Sequence, residues 1–155
     1  GLEEGRPMFL RRPDSHLGLA NFMRSHLYAS LVTLKIGLDI LLKEEDVKID
    51  SITGHGGLFK TKGVGQSILA AAMNAPISVM ETAGEGGAWD MALLAAYMLS
   101  KKDGQSLGDY LDSRVFAERK SETMEPDPAD VAGFETYTKQ YQACLAAEKA
   151  AVQAF

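Results

Sequence analysis

Fourteen residues in the first half of the chain concentrate the groups that could hold a ligand. The stretch TGHGGLFKTKGVGQ, residues 53–66, contains five glycines, two lysines and one histidine. Glycines let a backbone approach a ligand closely, and the N-terminus of a following helix favours an anion. The spacing matches neither GxGxxG nor GxxxxGK[ST], so the stretch is neither a dinucleotide-binding fingerprint nor a P-loop. By pattern alone it is either a ligand-binding turn or a turn whose glycines serve only to let the chain change direction.

A second glycine-rich turn follows along the chain. The stretch TAGEGG, residues 82–87, comes after a short apolar run and before an apolar helical pattern, as the first turn does. Turns that leave parallel strands meet at the carboxyl edge of the sheet, where open α/β folds bind their ligands. We therefore expect the two turns to lie side by side and to form one rim of a crevice.

The side chains with catalytic potential are scattered. His55 has no second histidine, cysteine or carboxylate at metal-ligand spacing and is interpreted as a polar turn residue. Nothing marks any aspartate as a general base, and neither a Ser/His/Asp set nor a nucleophile elbow is present. The aspartates considered are Asp14, Asp39, Asp50 and Asp90. The sequence thus predicts binding features without an assignable catalytic residue or metal ligand.

Hydrophobic periodicity indicates the elements that must position the two turns. Apolar residues three or four apart predict helices, and short apolar runs bounded by turn residues predict strands. In order, we expect a long helix over about 16–44, a strand over about 48–54, a helix over about 63–74, a strand at 77–80 and a helix over about 87–100. This alternation indicates an α/β fold with a few parallel strands. Two strands are few for a stable sheet, so we expect partner strands in a longer protein.

The last third of the sequence is predicted to be mainly helical. Ser106 is expected to cap a short helix, 117–127 is a charged loop, and a final helix starts at Asp127 and Pro128. We interpret residues 1–155 as a single domain with a helical tail over about 104–155.

Composition narrows the class of protein. The chain has 155 residues, of which 46% are hydrophobic and 24% charged, and its formal net charge is −5, as expected of a globular protein. Without a basic stripe, a nucleic-acid partner is not expected. Lys35 and Asp39 interrupt the longest apolar stretch, so a membrane span is not expected either. The single cysteine, Cys144, needs no disulfide partner and suits a cytoplasmic location.

The order of these motifs resembles the C-terminal domain of FGGY-family carbohydrate kinases, and most of all the xylulokinase-type members. The residues that carry the resemblance are ITGHGG at 52–57, GQSILAAAMNAPISV at 65–79 and ETAGEGGAWDMALLAAY at 81–97. RPMFLRRPDS at 6–15 and the long helix after it also fit, so the resemblance covers about residues 6–100.

The resemblance implies a ribonuclease H-like, actin-like ATPase fold in which two domains close over ATP and a sugar. It implies that Gly56 and Gly57 contact the nucleotide around its adenosine and α-phosphate, and that Thr61 lines the adenine pocket. Gln66 would lie on the first turn of the next helix, and Gly84, Gly86 and Gly87 would complete that side of the cleft. Mg²⁺ is implied by the family, but no ligand for it is assignable in this chain.

The activity implied by the resemblance is transfer of the ATP γ-phosphate to a sugar hydroxyl, with a ketopentose such as D-xylulose as the acceptor. The family's catalytic aspartate and sugar contacts belong to an N-terminal domain, and its second phosphate turn would precede Gly1. We therefore expect this chain alone to be inactive, because phosphoryl transfer needs the phosphate, the metal ion and the acceptor held together.

One departure keeps other functions open. Asp90 stands where the family usually has glycine, and a carboxylate there could disfavour a nearby phosphate. The alternatives are a non-catalytic actin-like scaffold or regulator, and a helical interaction domain built on the long first and last helices. An open sheet edge would also allow a homodimer.

Overall fold

The computed structural model describes residues 4–49, 52–81, 86–117 and 121–154. The helices are α1 (Leu19–Lys43), α2 (Val64–Met73), α3 (Gly87–Ser100), α4 (Leu107–Tyr110) and α5 (Pro128–Ala154), and the strands are β1 (Ile52–Gly54), β2 (Ile77–Met80) and β3 (Ser121–Met124). The chain divides into two compact units. The first comprises Gly1–Lys48, Ala71–Met73 and Pro128–Phe155, and the second comprises Ile49–Ala70 and Asn74–Asp127. The interpretation of residues 1–155 as one domain stays a prediction.

The first unit is built on α1 and α5. Tyr28 on α1 packs against Phe134 on α5 with ring centroids 4.6 Å apart, and Phe134 is fully buried. Lys35 is also buried, and its Nζ lies 2.6 Å from Asp39 Oδ1 and 2.8 Å from Glu135 Oε1. A buried ammonium group is tolerated because two carboxylates neutralise it. The ion pairs therefore join α1 to α5 within the same interface as the aromatic contact.

The buried face of α1 differs from the face that hydrophobic spacing predicts. Tyr28, Leu31, Val32 and Lys35 are buried. A spacing of three or four residues predicts one apolar face that includes Leu19, Met23, Leu34 and Leu41, but these four side chains are about half or more exposed. The helix also begins three residues later than expected, with Gly18 as its N-cap. Asp14 and Ser15, whose side chains are of the types that cap helices, precede the predicted start of the helix but are engaged elsewhere. Asp14 pairs with the guanidinium of Arg12, and Ser15 Oγ donates to the carbonyl oxygen of Arg12.

By length and composition alone, α1 is apolar enough to cross a membrane. An 18-residue window near the N-terminus has a mean hydropathy of 1.3, and 17% of that window is buried. Core helices of soluble proteins meet the same criterion. The ion pairs of Lys35 with Asp39 and Glu135 give the middle of α1 a polar partner on α5.

The second unit contains a three-stranded sheet in the order β1-β2-β3. β1 and β2 are parallel, with Ile52 opposite Ile77, as the alternation of strands and helices predicts. β3 is antiparallel to β2, with Ile77 opposite Met124 and Met80 opposite Ser121. The sheet is therefore mixed.

The prediction of a charged loop over 117–127 is wrong, because β3 lies inside that segment, adds an antiparallel strand to the expected parallel pair and interrupts the helical tail. The sequence SETM of β3 has no apolar alternation, so periodicity does not reveal it. Pairing comes instead from the ladder to β2 and from polar side chains, such as the 2.7 Å hydrogen bond between Ser78 Oγ and Thr123 Oγ1.

The elements around the two turns agree closely with the predictions. α2, β2 and α3 begin and end within a residue of their expected bounds. Asn74 ends α2 with a left-handed φ of 49°, and Pro76 follows. Ser106 caps α4 by accepting a hydrogen bond of 3.1 Å from the backbone N–H of Asp109, as predicted. A π-helical segment, Leu111–Val115, continues from α4.

Candidate functional site

The two glycine-rich turns meet in the second unit. A Cβ built on Gly86 would lie 3.9 Å from the Cα of Gly56, so the backbones of the turn after β1 and the turn before α3 come close to each other. Next to this junction, His55 Nδ1 lies 3.9 Å from Asp90 Oδ2. The expected side-by-side arrangement is therefore present at these residues. Gly84, the other glycine assigned to the second turn, lies outside the described residues.

Backbone geometry explains two glycines at the junction. Gly56 has φ of 103° and Gly86 has φ of 56°, a left-handed region that other residues rarely adopt. Gly57 and Gly87 differ, because neither has a positive φ and a Cβ built on either would meet nothing within 4 Å. Neither backbone strain nor packing among the described residues thus accounts for glycine at 57 and 87.

Steric fit explains two further glycines of the first stretch. A Cβ on Gly54 would lie 2.6 Å from Cε1 of Phe59, whose ring covers the end of β1. A Cβ on Gly65 would lie 2.7 Å from Leu58 Cγ and closer still to the Leu58 carbonyl oxygen. The stretch 53–66 therefore combines glycines that shape the turn with Gly57, which leaves the backbone accessible.

A cavity of about 450 Å³ opens at the end of β2 in the same unit. Its lining consists of residues 59, 61–63 and 66 around the start of α2, residues 79–81 at the end of β2, and residues 121–122 of β3. Thr61 and Gln66, two of the residues predicted to contact the nucleotide, thus share one cavity. Gly56, Gly57, Gly86 and Gly87 are not among its lining residues; they form the neighbouring junction.

Gln66 has a structural role that the sequence did not indicate. Its side chain is buried, and Nε2 donates to the backbone oxygens of Ile77 at 2.7 Å and Glu122 at 2.8 Å. These two bonds use both hydrogens of the amide nitrogen, so Gln66 could interact with a ligand only by accepting a hydrogen bond through Oε1. Gln66 therefore joins α2 to two strands, and its contact with a nucleotide stays a prediction.

Sequence reasoning missed two residues of the cavity wall. Ser121 and Glu122 line it from β3, and Glu122 Oε2 lies 3.0 Å from Nζ of Lys62, another lining residue. The charged composition of residues 117–127 predicts a loop, because an edge strand of polar residues has no hydrophobic periodicity. The only hint available was the position of Glu122 in a charged stretch, which specifies no partner.

Asp90 places a negative charge beside the junction of the two glycine-rich turns. Asp90 lies in the first turn of α3, where the helix dipole favours a carboxylate. Its side chain is 59% exposed, so the nearby His55 is a loose partner. Among the residues that the structure describes, no group of three or more histidine, cysteine, aspartate or glutamate side chains could hold a metal ion.

Comparison with known proteins identifies the class. The family model of the C-terminal domain of FGGY carbohydrate kinases matches residues 1–99, which include β1, β2, both glycine turns and most of α3. The chain therefore belongs to the FGGY family of carbohydrate kinases. Searches among curated proteins and among solved structures gave no significant match.

Membership of this family indicates the general function of the intact protein. Intact FGGY proteins are carbohydrate kinases, that is, transferases of carbohydrate metabolism, and the family has an actin-like, ribonuclease H-like ATPase fold. The helix-rich chain with its small mixed sheet is consistent with that fold. The segment that follows residue 99, which includes β3 and α5, lies outside the match.

Proposed function

We propose that this chain is the ATP-binding C-terminal domain of a kinase that transfers the γ-phosphate of ATP to a ketopentose such as D-xylulose. The observation that carries the proposal is the junction of the two turns, where Gly56 and Gly86 approach through their backbones. The first turn follows β1 and the second follows β2, its parallel neighbour. Ligands of open α/β sheets bind at this edge. The choice of a ketopentose rests on the xylulokinase-type motif order and is the finer part of the proposal.

The residues present fit the nucleoside end of ATP. Gly57 and Gly87 leave their backbone accessible, since a Cβ on either would meet no atom of the described residues within 4 Å. We assign backbone contacts to Gly56 and Gly57, and contact with the base to Thr61, which lines the neighbouring cavity. Gln66, Gly84, Gly86 and Gly87 complete this side of the cleft in the proposal.

The role of this chain in the reaction is to bind and orient. ATP supplies the phosphoryl group and Mg²⁺ neutralises the charge that develops on it. Following the family resemblance, we assign the catalytic base and the sugar contacts to a separate domain and no metal ligand to this chain. On this proposal the chain alone binds nucleotide weakly in the cytoplasm and transfers no phosphate.

Two measurements test the proposal. ATP is titrated into the purified chain while backbone amide signals are followed by NMR, and shifts at residues 56–66 and 86–90 are expected at millimolar ATP or below. The intact protein is then assayed for ATP-dependent phosphorylation of D-xylulose, other pentuloses and polyols. Absence of any phosphorylated sugar or polyol from the intact protein contradicts the kinase proposal, whereas activity on another sugar contradicts only the ketopentose.

A second candidate function is a non-catalytic scaffold of the same fold. It is favoured by Asp90, whose carboxylate lies beside the junction and 3.9 Å from His55. A negative charge at that position would oppose a phosphate bound against the turns. Failure of ATP to shift any amide signal in the wild-type chain, with binding recovered in Asp90→Gly, would support the scaffold.

A further inference from the structure

The wall of the cavity that β3 contributes lies outside the region that defines the family match. Ser121 and Glu122 line the cavity, and the match ends at residue 99. The wall is nevertheless held firmly. β3 pairs with all four residues of β2, and the buried amide of Gln66 donates to the backbone oxygen of Glu122 at 2.8 Å. The backbone of Glu122 is thus positioned from two directions.

The described lining of the cavity carries more carboxylates than cationic side chains. Among the residues that the structure describes, its lining includes two carboxylates, Glu81 and Glu122, and one cation, Lys62, whose Nζ lies 3.0 Å from Glu122 Oε2. A carboxylate offers about four acceptor positions, so the bond from Lys62 does not exhaust Glu122. The described lining residues thus carry one more negative than positive charge, which disfavours a phosphate, whereas hydroxyl groups could donate to the carboxylates. The lining therefore suits the uncharged, hydroxyl-bearing part of a nucleotide.

We infer that Glu122 is a specificity-determining residue that accepts a hydrogen bond from a ribose hydroxyl and so selects ribonucleotides over deoxyribonucleotides. The inference rests on the proposed function, because it assumes that the nucleoside enters this cavity beside Thr61. The cavity of about 450 Å³ lies within the usual range of small-molecule sites. Carboxylates hold ribose hydroxyls in the same way in dinucleotide-binding folds.

The test compares dissociation constants for ATP, 2′-deoxy-ATP and 3′-deoxy-ATP, measured by NMR titration of the full chain. Wild type should bind ATP about tenfold more tightly than one of the deoxy nucleotides, the loss expected for one charge-assisted hydrogen bond. Glu122→Met should weaken ATP binding by about the same factor and leave binding of that deoxy nucleotide unchanged. Glu122→Gln, which keeps an acceptor oxygen, should restore part of the discrimination.

Two control variants separate hydrogen bonding from structure and charge. Lys62→Met breaks the same ion pair but keeps the Glu122 carboxylate, so discrimination should persist. Glu125→Met removes an exposed carboxylate just beyond β3 that does not line the cavity, so all three constants should stay unchanged. The exposed Lys62–Glu122 pair contributes little to stability, so these variants should fold.

The outcomes distinguish this inference from the proposed function. If wild type binds ATP but does not discriminate against either deoxy nucleotide, the inference is wrong and the proposed function stands. If Lys62→Met loses discrimination as fully as Glu122→Met, Glu122 acts through the ion pair and the inference is also wrong. If wild type binds no nucleotide, the proposed function fails, and the inference fails with it.

Discussion

The side-chain amide of Gln66 lies 2.8 Å from the backbone oxygen of Glu122, a residue 56 positions further along the chain. Through the same nitrogen Gln66 also donates to Ile77 at 2.7 Å. One buried side chain thus holds the edge strand β3 against β2 and fixes the wall of the candidate nucleotide cavity. Loss of this amide should therefore affect stability and the cavity together.

Replacement of Gln66 by leucine should lower the free energy of unfolding by about 1–3 kcal/mol, because two carbonyl oxygens lose their donor in a buried site. Urea denaturation measures the change. Ser67→Ala is the matched control on the same helix, since Ser67 Oγ donates an exposed hydrogen bond to the Val64 carbonyl oxygen, and its loss should cost about 0.5 kcal/mol or less. Equal stability of Gln66→Leu and wild type would show that these two hydrogen bonds do not stabilise the fold.

Gly65→Ala should destabilise the chain by about 1–3 kcal/mol, the usual cost of overpacking. The added Cβ would lie 2.7 Å from Leu58 Cγ and closer to the Leu58 carbonyl oxygen, which cannot move without disturbing the turn. Thermal unfolding followed by circular dichroism measures the effect. Gly133→Ala, where a Cβ meets nothing within 4 Å, should be neutral or slightly stabilising.

Gly57→Ala should leave stability within about 0.5 kcal/mol of wild type and yet weaken ATP binding at least several-fold. The first expectation follows because its Cβ meets nothing within 4 Å of the described chain and its φ is not positive. The second follows from the proposed backbone contact with the nucleotide. Unfolding curves and ATP titrations on the same sample separate the two effects. Unchanged ATP affinity would show that the backbone of Gly57 does not contact the nucleotide.

Stability should depend on pH through the Lys35–Asp39 pair. Burial opposes ionisation of Asp39, but hydrogen bonds and charges from Lys35 and Lys43 outweigh it and lower its pKa below 3.8. The stabilisation is therefore present above the unfolded-state pKa and is lost as the pH falls through the lower, folded-state pKa. Burial likewise opposes ionisation of Lys35, yet Asp39 and Glu135 raise its pKa above 10.5.

The contribution of Lys35 is complete below its ordinary pKa and is lost as the pH rises through the higher, folded-state value. Unfolding free energies measured across the pH range should thus fall below about pH 4 and above about pH 10. Asp39→Asn should flatten the acid side of the curve. An acid limb with the same slope in that variant would show that Asp39 is not responsible.

Asp90→Asn should strengthen ATP binding several-fold at low salt if phosphate lies against the junction of the turns. The reason is removal of a carboxylate from the first turn of α3, beside Gly86 and His55. Because Asp90 is largely exposed, the gain should shrink as ionic strength rises. Titrations at low and high salt measure it. Asp112→Asn, in the π-helical segment, has the same charge change and should leave ATP affinity unaltered.

The sequence predicted best where local patterns control the structure. Hydrophobic periodicity, Asn74 before Pro76, and Ser106 as a cap specify α2, β2, α3 and α4 because each depends on neighbours a few residues away. The predicted meeting of the two turns also followed from local rules, since parallel neighbouring strands end at the same sheet edge. Periodicity did not place the buried face of α1, because the position of α5 decides which residues of that helix are covered.

Thus the sequence by itself determined the order of elements, the two glycine turns and the family to which the chain belongs. Tertiary structure decided that polar β3 becomes an edge strand, that Gln66 is committed to Ile77 and Glu122, and that Lys35 is buried between two carboxylates. The physical reason is that these arrangements depend on partners far away in the chain. A hydrogen bond between residues 66 and 122 leaves no periodic or local mark on either segment.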